Sequence, residues 1–238
     1  MDLASIKLSN VLFLDIETVP LYPNFSDVPE IEKLLWEEKT RNQRGENLVE
    51  EFYERAGIWA EFGKIVCISV GYFLVKDAGR QFRVRSFVGE EKKILEDFSY
   101  LVEHHFNKKN HLLAAHNGKE FDFPFIARRM IINELPLPNI LNLYGKKPWE
   151  FQYLDTLDLW KFGDYKNYTS LRLLAYVMNI PSPKDDIEGS DVKDVFYEEK
   201  NIERIASYCQ KDMITVAQIL LKLRHEPLLS EKEIHYVQ

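Results

Sequence analysis

Residues 11–16, Val-Leu-Phe-Leu-Asp-Ile, form an almost unbroken run of apolar and branched side chains, and this run limits the fold more than any other stretch. A strand with one wet face alternates apolar and polar residues, whereas a strand apolar on both faces has to be covered on both. Helices packed on either side of a sheet give that cover. The rest of the chain fits such a plan. KIVCISVGYFLV (64–75) and QFRVRSFV (81–88) read as strands joined by a turn at Asp77-Ala78-Gly79. HLLAA (111–115) and FQYLDT (151–156) read as two shorter strands. Between them, residues 90–106 place Ile94, Leu95, Phe98, Leu101, Val102 and Phe106 at helical spacing. FDFPFIARRMIIN opens a helix near Asp122 and Pro124, and Thr169 or Ser170 is positioned to cap LRLLAYVM. Pro181, Pro183 and Gly189 mark a loop, and Asn201 starts a last long helix that ends near Arg224-His225. Three sheet strands followed by strands alternating with helices predict one α/β domain over 1–238, with a mixed central sheet flanked by helices. Val19-Pro20 is expected to end the first strand, which puts Asp15 and Glu17 at its C-terminal end. Residues 21–62, with IEKLLWEEK and ENLVEEFYERA, read as an acidic, mostly helical insertion exposed as a solvated pair.

Charge bears on the partner. A net charge of −7 argues against a polyanionic ligand. Yet the ten acidic and five basic side chains of residues 21–62 concentrate −5 of it in the insertion. The body of the domain is left close to neutral, so charge does not exclude nucleic acid. No apolar run reaches the roughly 20 residues that cross a bilayer. The apolar start of the chain is interrupted by acids and followed by no small-residue cleavage site, which predicts a cytoplasmic protein without a membrane partner. Cys67 and Cys209 stand isolated in the sequence and predict neither a disulfide framework nor a zinc site.

The acids carry the chemistry. Asp15 and Glu17 are two apart on a strand, so both project from one face. On a covered strand they would be like charges held close in a poorly solvated place, a costly arrangement unless a cation neutralises them. Taken alone, so common a spacing reads better as a pair of solvated acids at a strand end. Asp212 is more telling. Ile202, Ile205, Cys209, Val216, Ile219, Leu220 and Leu223 form one stripe on the last helix. With Ile205 at 0°, Val216 falls at about 20°, Cys209 at about 40° and Asp212 at about −20°. An acid in the middle of a core-facing stripe breaks the pattern in the way functional sites do; the bland alternative is a pairing with a buried Arg or a cap. Tyr208, one turn earlier, projects beside it, though a flanking aromatic needs no function. Asp122 stands at the opening turn of a helix, where an Asp cap is the ordinary explanation. His116 has no second His or Cys at ligand spacing, so a zinc role for it is a poor reading.

Taken together and in order, LFLDIETVP, HNGKEFDFPFI and YCQKD resemble the three motifs of the DEDD exonuclease superfamily. The resemblance is strongest to stand-alone exonucleases related to the proofreading domain of family-B DNA polymerases. IWAEFGKIVCISVGY and LDTLDLWKFGDYKNYTSLRLLA extend it, so that it spans roughly residues 11–220. It implies a ribonuclease H-like fold, with Asp15, Glu17, Asp122 and Asp212 holding two divalent cations, Mg²⁺ or Mn²⁺. It also implies the subclass in which a tyrosine, here Tyr208, serves the attacking water, since the histidine position of the other subclass is Ser207. Asn117 and the main chain around Thr18 are implied to face the 3′-terminal nucleotide, while Asp155 is either a helper of the site or a helix cap. An all-oxygen ligand set suits hard cations. Two of them about 3.5–4 Å apart serve phosphodiester hydrolysis by acidifying water and stabilising the leaving oxygen. The expected function is 3′-5′ exonucleolytic hydrolysis of DNA at single-stranded or frayed ends, releasing nucleoside 5′-monophosphates. Lys119, Lys146, Lys147 and Lys166 are candidates to grip the strand. The rival readings are an exoribonuclease with the same chemistry and a non-catalytic nucleic-acid-binding module on the same fold.

Overall fold

The computed structural model describes residues 2–76, 79–164, 166–181 and 187–237. Asp77 and Ala78 of the expected turn, and Pro183 of the expected loop, lie outside them. Among the described residues, one six-stranded sheet is formed by β1 (Val11–Pro20), β2 (Gly63–Lys76), β3 (Gly79–Val88), β4 (Leu112–Ala115), β5 (Tyr153–Asp155) and β6 (Ile234–Tyr236). Their order is β5-β4-β1-β2-β3-β6. β2 runs antiparallel to β1 and β3, while β4, β5 and β6 join through parallel pairs, so the sheet is mixed as the order of elements predicts. The helices are α1 (Glu30–Thr40), α2 (Val49–Phe52), α3 (Glu91–His105), α4 (Asp122–Ile132), α5 (Thr156–Lys161), α6 (Leu171–Val177), α7 (Val192–Asp194) and α8 (Ile202–Leu223). None of the described helices is long and apolar enough to cross a membrane. The C-terminal strand β6 carries no sequence signal, being only three residues, Ile234-His235-Tyr236.

β1 explains the two layers. Leu12, Leu14 and Ile16 enter the core shared with Ile94, Leu95 and Phe98 of α3 and Ile126 of α4. Val11 and Phe13 point the other way, into the core shared with Met213, Val216, Ala217 and Leu220 of α8. By the alternation of a strand, Asp15 and Glu17 continue the α8-facing row. Close approach of α8 depends on Gly71 of β2: a Cβ there would stand 2.5 Å from Met213 Sδ and 2.4 Å from Phe82 Cζ. A larger residue there would have to displace the Met213 and Phe82 side chains that pack between helix and sheet.

The end of β1 falls where the sequence places it. Val19-Pro20 ends the strand, whose last pair with β2 is Pro20–Gly63, across an irregularity between Glu17 and Thr18. Pairing with β4 covers only Val11–Phe13. Beyond Phe13, β1 therefore has β2 on one side and an open edge on the other, where a proline is tolerated. Asp15 and Glu17 lie along this overhang rather than at a strand terminus.

Residues 21–62 are also more than a solvated pair. Trp36 of α1 is completely buried against Phe52, Tyr53 and Phe62, and its Nε1 donates to the Val49 carbonyl at 3.2 Å. Only residues 49–52 of the second expected helix are α-helical, and Tyr53–Ile58 continue as a 3₁₀ helix. The aromatic residues that interrupt the acids give the insertion a small core of its own.

Candidate active site

The open edge of β1 lies beside the C-terminal ends of the parallel strands β4 and β5, the end at which open α/β sheets build their sites. Each acid arrives by a different route. Asp15 and Glu17 stand on β1 facing α8. Asp122 comes from the first turn of α4, and Asp212 from the middle of α8, ten residues into the helix. The loop between β4 and α4 is tightly built. Asn117 adopts a left-handed conformation (φ 60°), which Asn tolerates better than most residues. Gly118 sits where a Cβ would meet Ala115 Cβ at 2.5 Å and the Phe123 ring at 2.9 Å. The Asp155 carboxylate, at the end of β5, accepts from Asn117 N (2.9 Å) and Lys119 N (3.0 Å) and also caps α5 through Leu157 N (2.9 Å). Both uses that the sequence allows for Asp155 thus coexist, with the residue acting as a brace for the loop that delivers Asp122.

Asp122 is not the side-chain cap of α4. The capping position belongs to Phe121, without a side-chain hydrogen bond. The Asp122 carboxylate instead reaches across to accept from the main chain of Ile16 on β1. It is 3% exposed, and Glu17 is 8% exposed. No ion pair among the described residues involves Asp15, Glu17 or Asp122, and Glu17 has no hydrogen-bond donor among them either. The electrostatics follow. Burial, then repulsion by Glu17, Asp122 and Asp212, holds the Asp15 carboxyl well above the usual carboxylate range. Burial, then repulsion led by Asp212, does the same to Glu17. Burial and the fields of Asp155 and Asp212 push Asp122 up to about 7, against the pull of its main-chain hydrogen bonds. Asp212 acts on each of the other three, so the structure brings all four sequence-selected carboxylates into one electrostatic field. Asp15, Glu17 and Asp122 have no ion pair among the described residues to offset that repulsion. Their donors are hard oxygens, the chemistry that divalent Mg²⁺ or Mn²⁺ requires.

Tyr208 lies one turn before Asp212, and its hydroxyl hydrogen-bonds that carboxylate. Burial, together with Asp212, Glu17 and Asp15, raises the phenol above its ordinary value, so it is a proton donor at neutral pH. Thr18 spends its hydroxyl on the Gly57 carbonyl at 2.7 Å, which ties β1 to the insertion and leaves its main chain for other use. Tyr197 fixes the same strand end, donating to the carbonyls of Pro20 (2.6 Å) and Leu21 (3.0 Å).

The sequence reading missed the cysteines. Cys209 and Cys67, 142 positions apart, are both free and buried, and they neighbour each other beneath the acids. Cys209 Sγ donates to the Asp15 carbonyl at 3.3 Å, and one ligand atom each of Asp15, Glu17 and Cys209 fall within 4.8 Å of one another. Only the pairing of β2 with β1 (Cys67 opposite Glu17) makes this visible. His116, set aside as a zinc ligand, is occupied on both ring nitrogens by Thr156 Oγ1 and the Thr169 carbonyl, each at 2.9 Å. Of the four lysines, Lys119 is ion-paired with Asp158 at 2.6 Å, Lys146 donates to the Asn139 carbonyl at 3.1 Å, and Lys147 lies over the Trp149 ring. Lys166 is exposed.

Comparison with known proteins gives the following. Residues 58–233 match the family described as predicted 3′-5′ exonucleases related to the exonuclease domain of PolB, a span that includes Asp122, Tyr208 and Asp212 but not β1. No curated protein sequence matches the chain. Among solved structures, the family B DNA polymerase of the hyperthermophilic archaeon Pyrobaculum calidifontis superposes with a TM-score of 0.54 at 16% identity, over 89% of this chain and 24% of that one. The present chain therefore spans about a quarter of the polymerase's length, and the likeness concerns the fold alone. The RNase domain of the yeast Pop2 protein gives a TM-score of 0.46 at 10% identity, over 91% of this chain and 77% of that one.

Proposed function

The chain belongs to the family of predicted 3′-5′ exonucleases related to the exonuclease domain of PolB, and from that premise we propose that it is itself a metal-dependent enzyme, a single domain that shortens DNA from the 3′ end. The observation that carries this reading is that Asp15, Glu17 and Asp122 are each raised by neighbouring acids while no cationic side chain among the described residues pairs with them. Asp15, Glu17, Asp122 and Asp212 are assigned to hold two divalent cations, Mg²⁺ or Mn²⁺. When bound, the cations supply acidification of the attacking water and charge stabilisation of the leaving 3′-oxygen.

The protein's own residues do the positioning. The Tyr208 phenol stays protonated, so it orients the water through its hydroxyl instead of removing a proton. Its bond to Asp212 keeps that hydroxyl at the acids. Asn117, held by Asp155, and the main chain at Thr18, whose side chain is already engaged, are assigned to the 3′-terminal nucleotide. Lys119 is committed to Asp158, which leaves Lys166 the more available of the proposed phosphate contacts.

The test is incubation of 5′-labelled single-stranded DNA and RNA with Mn²⁺ or Mg²⁺, with and without EDTA. The expected result is a ladder of DNA shortened from the 3′ end, abolished by EDTA and by Asp212→Asn. A ladder on RNA alone would transfer the reading to an exoribonuclease. Intact DNA and RNA with folded protein and metal would leave the non-catalytic binding module as the better account.

A further inference from the structure

α1 is apolar on the side away from its core. Trp36 and Thr40 are completely buried, and Trp36 holds the helix on the insertion's own cluster of aromatic rings. Ile31, Leu34 and Leu35 are by contrast 64%, 58% and 49% exposed. With Ile31 at 0° around the helix, Leu34 falls at about −60° and Leu35 at about 40°, whereas Trp36 falls at about 140° and Thr40 at about 180°. The three aliphatic side chains share one face, opposite the buried one. A single exposed leucine is ordinary. Three aliphatic side chains at i, i+3 and i+4 repeat the spacing with which a helix meets a partner.

Charge around this face selects the occupant. Glu38 lies within it at about −20°, and Glu30 and Glu37 border it at about −100° and about −120°. All three are exposed. The two lysines of α1 are spent inside the insertion, Lys33 on Glu30 at 2.8 Å and Lys39 on Glu61 at 3.3 Å. Neither Glu37 nor Glu38 has an ion pair among the described residues, and residues 21–62 carry −5 as a whole. A second copy of this chain docked face to face would bring the same acids together, and like charges across an interface are penalised. Anionic lipid and the DNA backbone carry the same sign as the face and are repelled by it. A protein segment whose apolar side chains are flanked by Lys or Arg suits both the aliphatic stripe and the acids.

We propose that Ile31, Leu34 and Leu35, with Glu37 and Glu38 beside them, form a docking surface for a basic amphipathic helix of a partner protein. The aliphatic side chains supply the buried contact, and the acids choose the partner and its orientation. The surface shares no residue with the candidate active site and does not depend on the exonuclease reading.

The probe is a fluorescein-labelled synthetic helical peptide with leucine along one face and lysine on the other, and its binding to the full chain is read by fluorescence anisotropy. The lysine peptide should bind. Replacing its lysines by glutamate, or its leucines by serine, should weaken binding by about 10-fold or more. The combined variant Ile31→Ser, Leu34→Ser and Leu35→Ser should lose about 10-fold in affinity for the lysine peptide. Glu37→Lys with Glu38→Lys keeps the aliphatic side chains, so it separates charge from any effect of the serines on folding. It too should lose about 10-fold and should bind the glutamate peptide better than wild type does. Leu173→Ser with Val177→Ser removes an exposed aliphatic pair from α6 and should leave wild-type affinity. No binding of the lysine peptide, equal binding of both peptides, or wild-type affinity in both α1 variants would overturn the inference. So would light scattering that shows self-association lost in the serine variant, which would assign the face to a second copy. Flotation with phosphatidylcholine–phosphatidylglycerol vesicles, lost in the same variant, would assign it to a membrane and overturn the inference likewise.

Discussion

The fold buries charge in two places and treats them oppositely. Between α3 and α4, Glu91 is held by Arg129 through Nε at 2.8 Å and Nη2 at 2.6 Å, and by Asn133 at 3.0 Å, and it also accepts from Ile65 N at 2.8 Å. Arg129 spends its remaining fork on the Ala60 carbonyl at 2.9 Å. Every charge there has its counterpart. Across the sheet, Glu17 and Asp122 are buried and Asp15 is partly buried, yet their strongest electrostatic neighbours are other acids. A folded chain keeps a buried charge when it pairs and hydrogen-bonds it. The first cluster is complete within the polypeptide, whereas the second lacks the positive charge that would complete it. The same chain can evidently close such a cluster, so the open one is read as a site.

That contrast is broken most directly through Arg129. Arg129→Met keeps much of the side-chain volume and leaves Glu91 buried without its partner, a change expected to cost about 3–5 kcal/mol of stability. Asp15→Asn, measured by the same urea titration without metal, should go the other way and leave the protein more stable than wild type, because it removes a repelled charge. Equal destabilisation by both substitutions would mean that the acids are ordinary structural partners.

Within the open cluster, Tyr208→Phe separates orientation from charge. The ring and its place on α8 remain and only the hydroxyl is lost. Single-turnover cleavage at saturating Mn²⁺ should fall by about 10²-fold with little change in substrate affinity. Stabilisation by Mn²⁺ should persist, since the acids are untouched. Full activity in Tyr208→Phe would take the hydroxyl out of the mechanism.

Much of this arrangement was legible in the sequence because strand and helix periodicity fix direction. The run 11–16 announced a doubly covered strand, and the wheel of α8 placed Asp212 on the inner face beside Tyr208. What periodicity does not reveal is which elements meet. Cys67 is ordinary within KIVCISVGYFLV and lies beside Cys209 only because β2 pairs with β1 and Gly71 lets α8 close on the sheet. Asp122 read alone is a helix cap, and only the loop braced by Asp155 turns it toward β1. Proline at 20 does end the strand, but the sequence does not show that β1 runs past β4 with an open edge beyond Phe13.

The smallest expected effect is the most specific test of the comparison, and it concerns pH. An acid whose folded pKa lies above its unfolded value stabilises the fold fully below the unfolded value and loses that contribution as pH rises through the folded one. Asp122, at about 7 against an ordinary 3.8, loses its contribution as the solution passes neutrality, and Asp15 and Glu17 are shifted in the same direction. His116 and His111 are shifted down by burial, so their contribution grows as pH rises toward their ordinary 6.5. The window that isolates the acids therefore lies above that value, between about pH 6.5 and about pH 8. In EDTA, stability should fall across this window. Ionised carboxylates are the form that binds metal, so added Mn²⁺ should raise stability, and more so at the upper end. The gain should be about 1.4 kcal/mol when free Mn²⁺ is ten times its dissociation constant. Asp15→Asn should flatten the EDTA slope and remove most of the Mn²⁺ effect, whereas Arg129→Met should lower the whole curve without changing either. A metal-free protein whose stability holds or rises across the window, and which ignores Mn²⁺, would place these acids in the same class as Glu91.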